Sequence, residues 1–182
     1  MMRFHKSKTG AILRMVLDFL VQLSLVIAIA WFVVYSFGSK AINNGQSMQP
    51  LLGVEEGALM NRVIYVFRNP ERYDIIAFKS SDGRMNIKRI IGLPNETIRI
   101  SSGVVFVDGK ALDSEEGFHI ATLEGIAASD IELGEDEYFV LGDNRDSSED
   151  SRFKSIGNVK REEIIGKLWL RISPFSRIGF LK

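Results

Sequence analysis

Phe19 to Gly38 reads FLVQLSLVIAIAWFVVYSFG, twenty consecutive residues without a charged side chain. At 1.5 Å per residue, a helix of that length spans roughly the 30 Å hydrocarbon core of a bilayer. The bland alternative is a buried helix of a soluble domain, but few such helices are apolar on every side. Ala28-Ile29-Ala30 has the small-x-small pattern of a leader cleavage site. It is followed by Trp31-Phe32-Val33-Val34-Tyr35, more apolar sequence where a polar segment should begin. The stretch is therefore read as a retained transmembrane anchor over residues 15–38.

Charge around the anchor sets its expected direction. Arg3, Lys6, Lys8 and Arg14 precede it, and only Lys40 follows closely. The positive-inside rule then puts residues 1–14 in the cytoplasm as a basic N-terminus. Residues 39–182 become an extracytoplasmic domain, and the chain a single-pass protein of the cell membrane. From Lys40 onward the chain has 19 basic and 22 acidic residues, a balance that disfavours nucleic acid as a partner. With no cysteine, the chain has no disulfide, thiol nucleophile or thiolate metal site. His5 and His119 alone cannot furnish a structural zinc site, so neither metal nor cofactor is expected.

Beyond the anchor, the pattern changes from helical to short β-like runs. They are ALMNRVIYVF (58–67), DIIAF (74–78), NIKRII (86–91), ETIRI (96–100), VVFV (104–107), EYFVL (137–141) and IIGKLWLRI (164–172). These are rich in Val, Ile, Phe and Tyr and are bounded by Gly, Asn and Asp. Ser102-Gly103 and Asp108-Gly109 read as tight hairpin turns. The expected fold class is mainly β: one N-terminal transmembrane helix, then an all-β domain of antiparallel sheets. Residues 111–134 form a short, acidic, irregular insertion in this reading.

Three segments can carry chemistry. Gly45-Gln46-Ser47-Met48-Gln49-Pro50 follows the anchor by about eight residues and offers a serine beside turn-forming residues. Asn86-Ile87-Lys88-Arg89-Ile90-Ile91-Gly92-Leu93-Pro94 puts two cations in an apolar strand, where neighbours point to opposite faces. Either both cations snorkel to water, or one lies against apolar surface. A lysine desolvated in that way loses its proton more readily and can act as a base, which an arginine cannot. Gly142-Asp143-Asn144-Arg145-Asp146-Ser147-Ser148-Glu149-Asp150-Ser151-Arg152 interleaves acids and arginines after the EYFVL strand. By composition it is either a solvated loop or a hydrogen-bonded cluster ordering a site.

In this order, after one N-terminal span, the three segments resemble the bacterial type I signal peptidases, membrane-anchored serine proteases with a Ser/Lys dyad. The family's nucleophile motif, Gly or Ser, any residue, Ser, Met, any residue, Pro, is similar to Gly45 to Pro50. Its Lys-Arg motif ending in Gly-Leu-Pro-Gly-Asp is similar to Lys88 to Glu96. Its Gly-Asp-Asn-Arg-Asp box is matched at every specified position by Gly142 to Arg152. Asp74 to Phe78 also resembles the family's Gly-Asp-Ile-Val-Val-Phe strand. The likeness runs from about residue 15 to 172, and the short middle insertion is similar to compact Gram-positive members. Leu51 replaces the usual Thr, Asn95-Glu96 the usual Gly-Asp, and Tyr73 the usual Gly before Asp74. None of these departures removes a catalytic group.

The resemblance implies a membrane-bound endopeptidase that removes N-terminal signal peptides from exported preproteins. It makes Ser47 the nucleophile and Lys88 its general base. Ser148 would hydrogen-bond the Lys88 amine, Asp150 and Arg152 would pair to hold the loop, and Asp143 and Arg145 would be further supports. Met48, Leu52 and Ile87 would line small substrate pockets. The backbone N–H of Ser47 would serve the oxyanion, with Gly45 leaving the second donor undefined by side chain. Implied partners are signal peptides, the lipid bilayer and the secretion translocon. A Ser-His-Asp triad would have to use His119, which has no motif around it. The alternative function is a catalytically silent, membrane-anchored pilus-assembly or binding module of the same fold.

Overall fold

The computed structural model describes residues 8–112 and 121–181. The apolar run lies in α1 (Lys8–Phe37), which over Gly10–Phe37 is long and apolar enough to cross a bilayer. Among the described residues it is the one helix of that length and character. Left in water, such a face would be a large exposed apolar surface, so its natural surroundings are lipid.

The helix end is tied to the body through its last carbonyls, which have no partner within a helix. Gly38 N–H closes the last turn on Val34 O at 2.8 Å, and from the body Arg62 N–H donates to Ser36 O at 2.9 Å. Ser39 Oγ donates to Tyr35 O at 3.0 Å, and Trp169 Nε1 to Phe37 O at 3.3 Å. The Arg62 guanidinium also lies over the Tyr35 ring, 5.4 Å from its centroid.

The remainder is β-rich, and every strand pairing is antiparallel. In chain order the strands are β1 (Ser39–Ile42), β2 (Gly57–Asn61), β3 (Ile75–Lys79), β4 (Met85–Gly92), β5 (Thr97–Ser101) and β6 (Val104–Val107). They continue as β7 (Lys110–Ala111), β8 (Ile131–Glu132), β9 (Glu137–Leu141), β10 (Val159–Lys160), β11 (Ile164–Ser173) and β12 (Gly179–Phe180). The larger sheet runs β1-β2-β11-β3-β4-β9-β10, with β12 added to β11; the smaller runs β7-β6-β5-β8.

The expected mainly-β, antiparallel class is what the chain forms, with two local corrections. The run at 58–67 stays extended only to Asn61, whose Oδ1 accepts from the N–H groups of Val63 and Ile64, both at 3.0 Å. This side-chain turn starts the short helix α2 (Ile64–Phe67). The supposedly irregular insertion supplies β8, which pairs with β5, and a 3-10 turn at Gly125–Ala128. Both hairpin turns have positive φ at their two central residues, 52° and 81° at Ser102-Gly103 and 50° and 74° at Asp108-Gly109. That is the conformation the twist of a two-residue hairpin favours.

The continuous apolar runs follow from burial on both faces. In β3, Ile75 and Ala77 pack with Met60, Leu168 and Ile87 on one side, while Ile76 and Phe78 pack with Ile90, Tyr138 and Val140 on the other. In β9, Phe139 and Leu141 join Ile91 and the inner face of the small sheet in a third cluster. By contrast β5 alternates, with Ile98 and Ile100 inward and Arg99 outward, because only one of its faces is covered. Strand β4 thus contributes Ile87, Ile90 and Ile91 to three different clusters, aided by a break in its register with β9 between Ile90 and Gly92. Such packing fixes β4 firmly, and Lys88 and Arg89 are carried on it.

Candidate active site

The loop that bears Ser47 leaves β1 and returns to β2. Its neck is closed by Asn43 N–H to Glu56 O at 2.9 Å and Glu55 N–H to Asn43 O at 2.7 Å. Inside the loop, the buried Asn43 amide donates to the carbonyls of Gly45, Leu52 and Gly53 at 2.8, 2.9 and 3.1 Å. Met48 and Leu52 are fully enclosed in the core beneath. Ser47 is half-buried. Asn43 was not singled out from the sequence, because one asparagine after a strand looks like any turn residue.

Lys88 Nζ lies 2.9 Å from Ser47 Oγ. Lys88 is only 4% exposed, and burial pulls its pKa down to about 8, against the opposing pull of the Asp150 and Glu149 charges. Its chain neighbour Arg89 is equally buried but fully compensated: Nε and Nη2 reach the two oxygens of Asp143 at 2.8 and 2.9 Å. The two cations therefore differ in chemistry as well as position. One is a forked ion pair, while the other is a desolvated amine beside a hydroxyl.

The Gly142–Arg152 segment is a buried, hydrogen-bonded cluster rather than a solvated loop. Asp150 and Arg152 are completely buried and form a two-point ion pair, Nε to Oδ1 at 2.8 Å and Nη2 to Oδ2 at 2.9 Å. Arg152 also donates to the carbonyls of Leu123 and Arg145, and Gly142 N–H donates to Asp150 Oδ2 at 3.1 Å. Arg145 is buried and donates to Gly142 O at 3.0 Å. Asn144 N–H donates to Ser47 O at 3.0 Å, joining this cluster to the serine loop. Gly142 sits where nothing larger fits: a methyl group there would lie 2.3 Å from Ser148 Oγ and 2.5 Å from Ser47 O.

Ser148, expected to hydrogen-bond the Lys88 amine, is buried, and its Oγ has no hydrogen-bond partner among the described residues. Met48 and Leu52, expected to line small substrate pockets together with Ile87, are enclosed in the core, and Ile87 borders the cleft. The cleft, about 380 Å³, is instead walled by Ile42 to Gly45, by Arg84 to Lys88 and by Glu149. Ile42 and Met85 are its exposed apolar residues, and no motif marked them. His119 lies outside the described residues.

On its floor, β4 pairs with β3 from Met85 to Arg89, but β9 takes up the other edge only from Arg89 onward. Among the described residues, no strand pairs with the free edge of Met85 to Lys88. A hydroxyl beside a desolvated amine, next to an open strand edge, is an arrangement suited to acyl transfer on an extended chain.

The family model for signal peptidase, peptidase S26, matches residues 16–173. The chain belongs to this signal peptidase family. It is 37% identical over 142 residues to the probable signal peptidase I-2 of Synechocystis sp., a match covering 74% of this chain and 63% of that protein. It thus spans a little under two thirds of that relative's length. Identity to signal peptidase I of Leptolyngbya laminosa is 35% over 145 residues, covering 75% of this chain and 69% of the other. With signal peptidase I P of Bacillus subtilis subsp. natto it is 30% over 186 residues, covering 98% of each chain. The S26 match begins inside α1 and ends at the last residue of β11, so it takes in most of that helix, the serine loop, β4 and the buried Asp/Arg cluster.

Proposed function

We propose that this chain is a membrane-anchored serine endopeptidase that removes N-terminal signal peptides from exported preproteins. The observation that carries the reading is the 2.9 Å approach of Lys88 Nζ to Ser47 Oγ at the end of an open strand edge. Ser47 is the nucleophile and Lys88 its base. In its neutral form the Lys88 amine accepts the hydroxyl proton as Oγ attacks the scissile carbonyl, and burial is what makes that form accessible near neutral pH. The developing oxyanion lies toward the Ser47 N–H. The Lys88 ammonium then gives its proton to the leaving amine, and a water activated by the same amine hydrolyses the acyl-enzyme.

Asp143, Arg145, Asp150, Arg152 and Ser148 hold the loop against Ser47 without touching the substrate. Ile87 borders the substrate's small side chains. The substrate backbone adds as a strand to the edge of Met85 to Lys88, which gives affinity with little demand on sequence.

Residues 15–38 anchor the chain, with residues 1–14 in the cytoplasm and residues 39–182 on the outer face. The exposed Phe180, packed on Trp169 at the end of α1, supports a body resting against the lipid surface. There the end of a signal peptide emerges, and the secretion translocon is a natural neighbour. A silent accessory module is disfavoured, since both members of the reactive pair are retained and in contact.

The test is incubation of the detergent-solubilised protein with secretory precursors and mass-spectrometric mapping of the new N-termini. One cut after a small residue, lost in Ser47→Ala, is expected; intact precursors would overturn the reading. For orientation, protease added to intact protoplasts should degrade the outer domain. Full protection of that domain would reverse the topology.

A further inference from the structure

We propose that Glu149 is a specificity residue of the cleft, favouring basic over acidic side chains in the stretch of substrate lying along Arg84 to Lys88. The proposal rests on the signal-peptidase reading above. Glu149 is exposed and lines the cleft together with Ser47, Lys88 and the open edge of β4. It follows Ser148, which is wedged against Gly142 beside the Ser47 carbonyl, so its backbone is set by the same buried cluster that holds the nucleophile. Its carboxylate is held as well: Ser155 Oγ donates to Oε1 at 2.6 Å.

The charges around the cleft do not cancel. Arg84, on the rim, is engaged by Asp82, which also accepts from its backbone N–H at 3.0 Å, so that cation and anion offset each other. Lys88 must be neutral when it accepts the Ser47 proton. The side-chain hydrogen bond to Glu149 comes from an uncharged hydroxyl, and its carboxylate is otherwise felt only at a distance by Arg84 and Lys88. With substrate bound and Lys88 still neutral, Asp82 and Arg84 cancel and the charge of Glu149 is left over, close to where the substrate strand runs. A basic substrate side chain there gains attraction and an acidic one meets repulsion, and both effects are screened by salt because the group is exposed.

The experiment uses the full-length protein in detergent and one well-cleaved neutral signal-peptide substrate. Lys, Gln or Glu is placed in turn at each position from five before the cut to two after it. The readout is the ratio of kcat/KM for Lys over Glu, which cancels any effect of Glu149 on Lys88 itself. At low ionic strength, the wild type should favour Lys by about five- to tenfold at one or two positions. Glu149→Gln should bring that ratio close to one, Glu149→Lys should invert it, and high salt should compress it. Equal ratios in wild type and Glu149→Gln at every position would overturn the proposal while leaving the peptidase reading intact. Failure to cleave even the Gln substrates, with Ser47→Ala indistinguishable from wild type, would overturn both.

Discussion

Lys88 Nζ and Ser47 Oγ stand 2.9 Å apart although 41 positions separate the two residues in the chain. The contact is made by two unrelated supports. Ser47 is placed by a loop organised around the Asn43 amide, and Lys88 by a strand whose isoleucines are sunk in three core clusters. If this pair is the reactive unit, Ser47→Ala and Lys88→Ala should each lower kcat by at least about a thousandfold, and the double variant should be hardly worse. Lys88→Arg should be as inactive as Lys88→Ala, since a guanidinium stays charged. Steady-state kinetics on a signal-peptide substrate checks this, and an active Lys88→Arg would eliminate Lys88 as the base.

The pH dependence follows from the burial of Lys88. With its pKa held near 8, kcat/KM should rise about tenfold per pH unit below that value and level off above it. Stability should move in the same direction. Between about 8 and the ordinary lysine value near 10.4, the unfolded chain binds more protons at this position than the folded one. The burial penalty is therefore full below pH 8 and is relieved as the pH rises. Lys88→Met should raise the melting temperature at pH 7, with the advantage shrinking toward pH 10. A rate that instead falls above neutrality would point to a carboxylate base.

The Asp150–Arg152 pair is fully enclosed, so removing either partner strands the other charge out of water. Asp150→Asn or Arg152→Ala should cost about 3–5 kcal/mol of stability. Activity should fall with it, because Asp150 also accepts from the Gly142 N–H and Arg152 holds the carbonyl of Arg145. Chemical denaturation alongside kinetics checks the pairing of the two losses. Lost activity at unchanged stability would give these residues a direct part in the chemistry.

Gly142→Ala should act more locally. The added methyl group must displace Ser148 or the Ser47 carbonyl, both of which lie within 2.6 Å of it. A shift of this kind at a nucleophile can cost about a hundredfold in rate. The expected result is a large fall in kcat with a smaller change in melting temperature. Wild-type kcat would mean that the nucleophile loop yields without consequence.

Substrate preference should alternate along the chain. A strand laid on the open edge of Met85 to Lys88 turns its first and third residues before the cut to one side and its second to the other. Phe at the first position should lower kcat/KM severely, whereas Phe at the second should be tolerated. Equal tolerance at both positions would remove the pocket model.

Much of this was legible in the chain itself. Twenty uncharged residues specify a bilayer-length helix, because a helix satisfies its own backbone and lipid asks nothing more of it. Short Ile- and Val-rich runs between Gly, Asn and Asp specify strands, and Ser102-Gly103 and Asp108-Gly109 specify their turns, because these preferences act within a few residues. The failures were also local in origin: Asn61 turned a predicted strand into a helical turn through a bond to its own neighbours. Lys88 could be marked as a desolvated amine, but its partner could not be derived from spacing. Tertiary packing decided that Met48 and Leu52 are core, that Ser148 Oγ faces no partner among the described residues, and that Asn43 and Glu149 frame the cleft. Burial and distance depend on which strands pair across the whole chain, and no window of neighbouring residues contains that information.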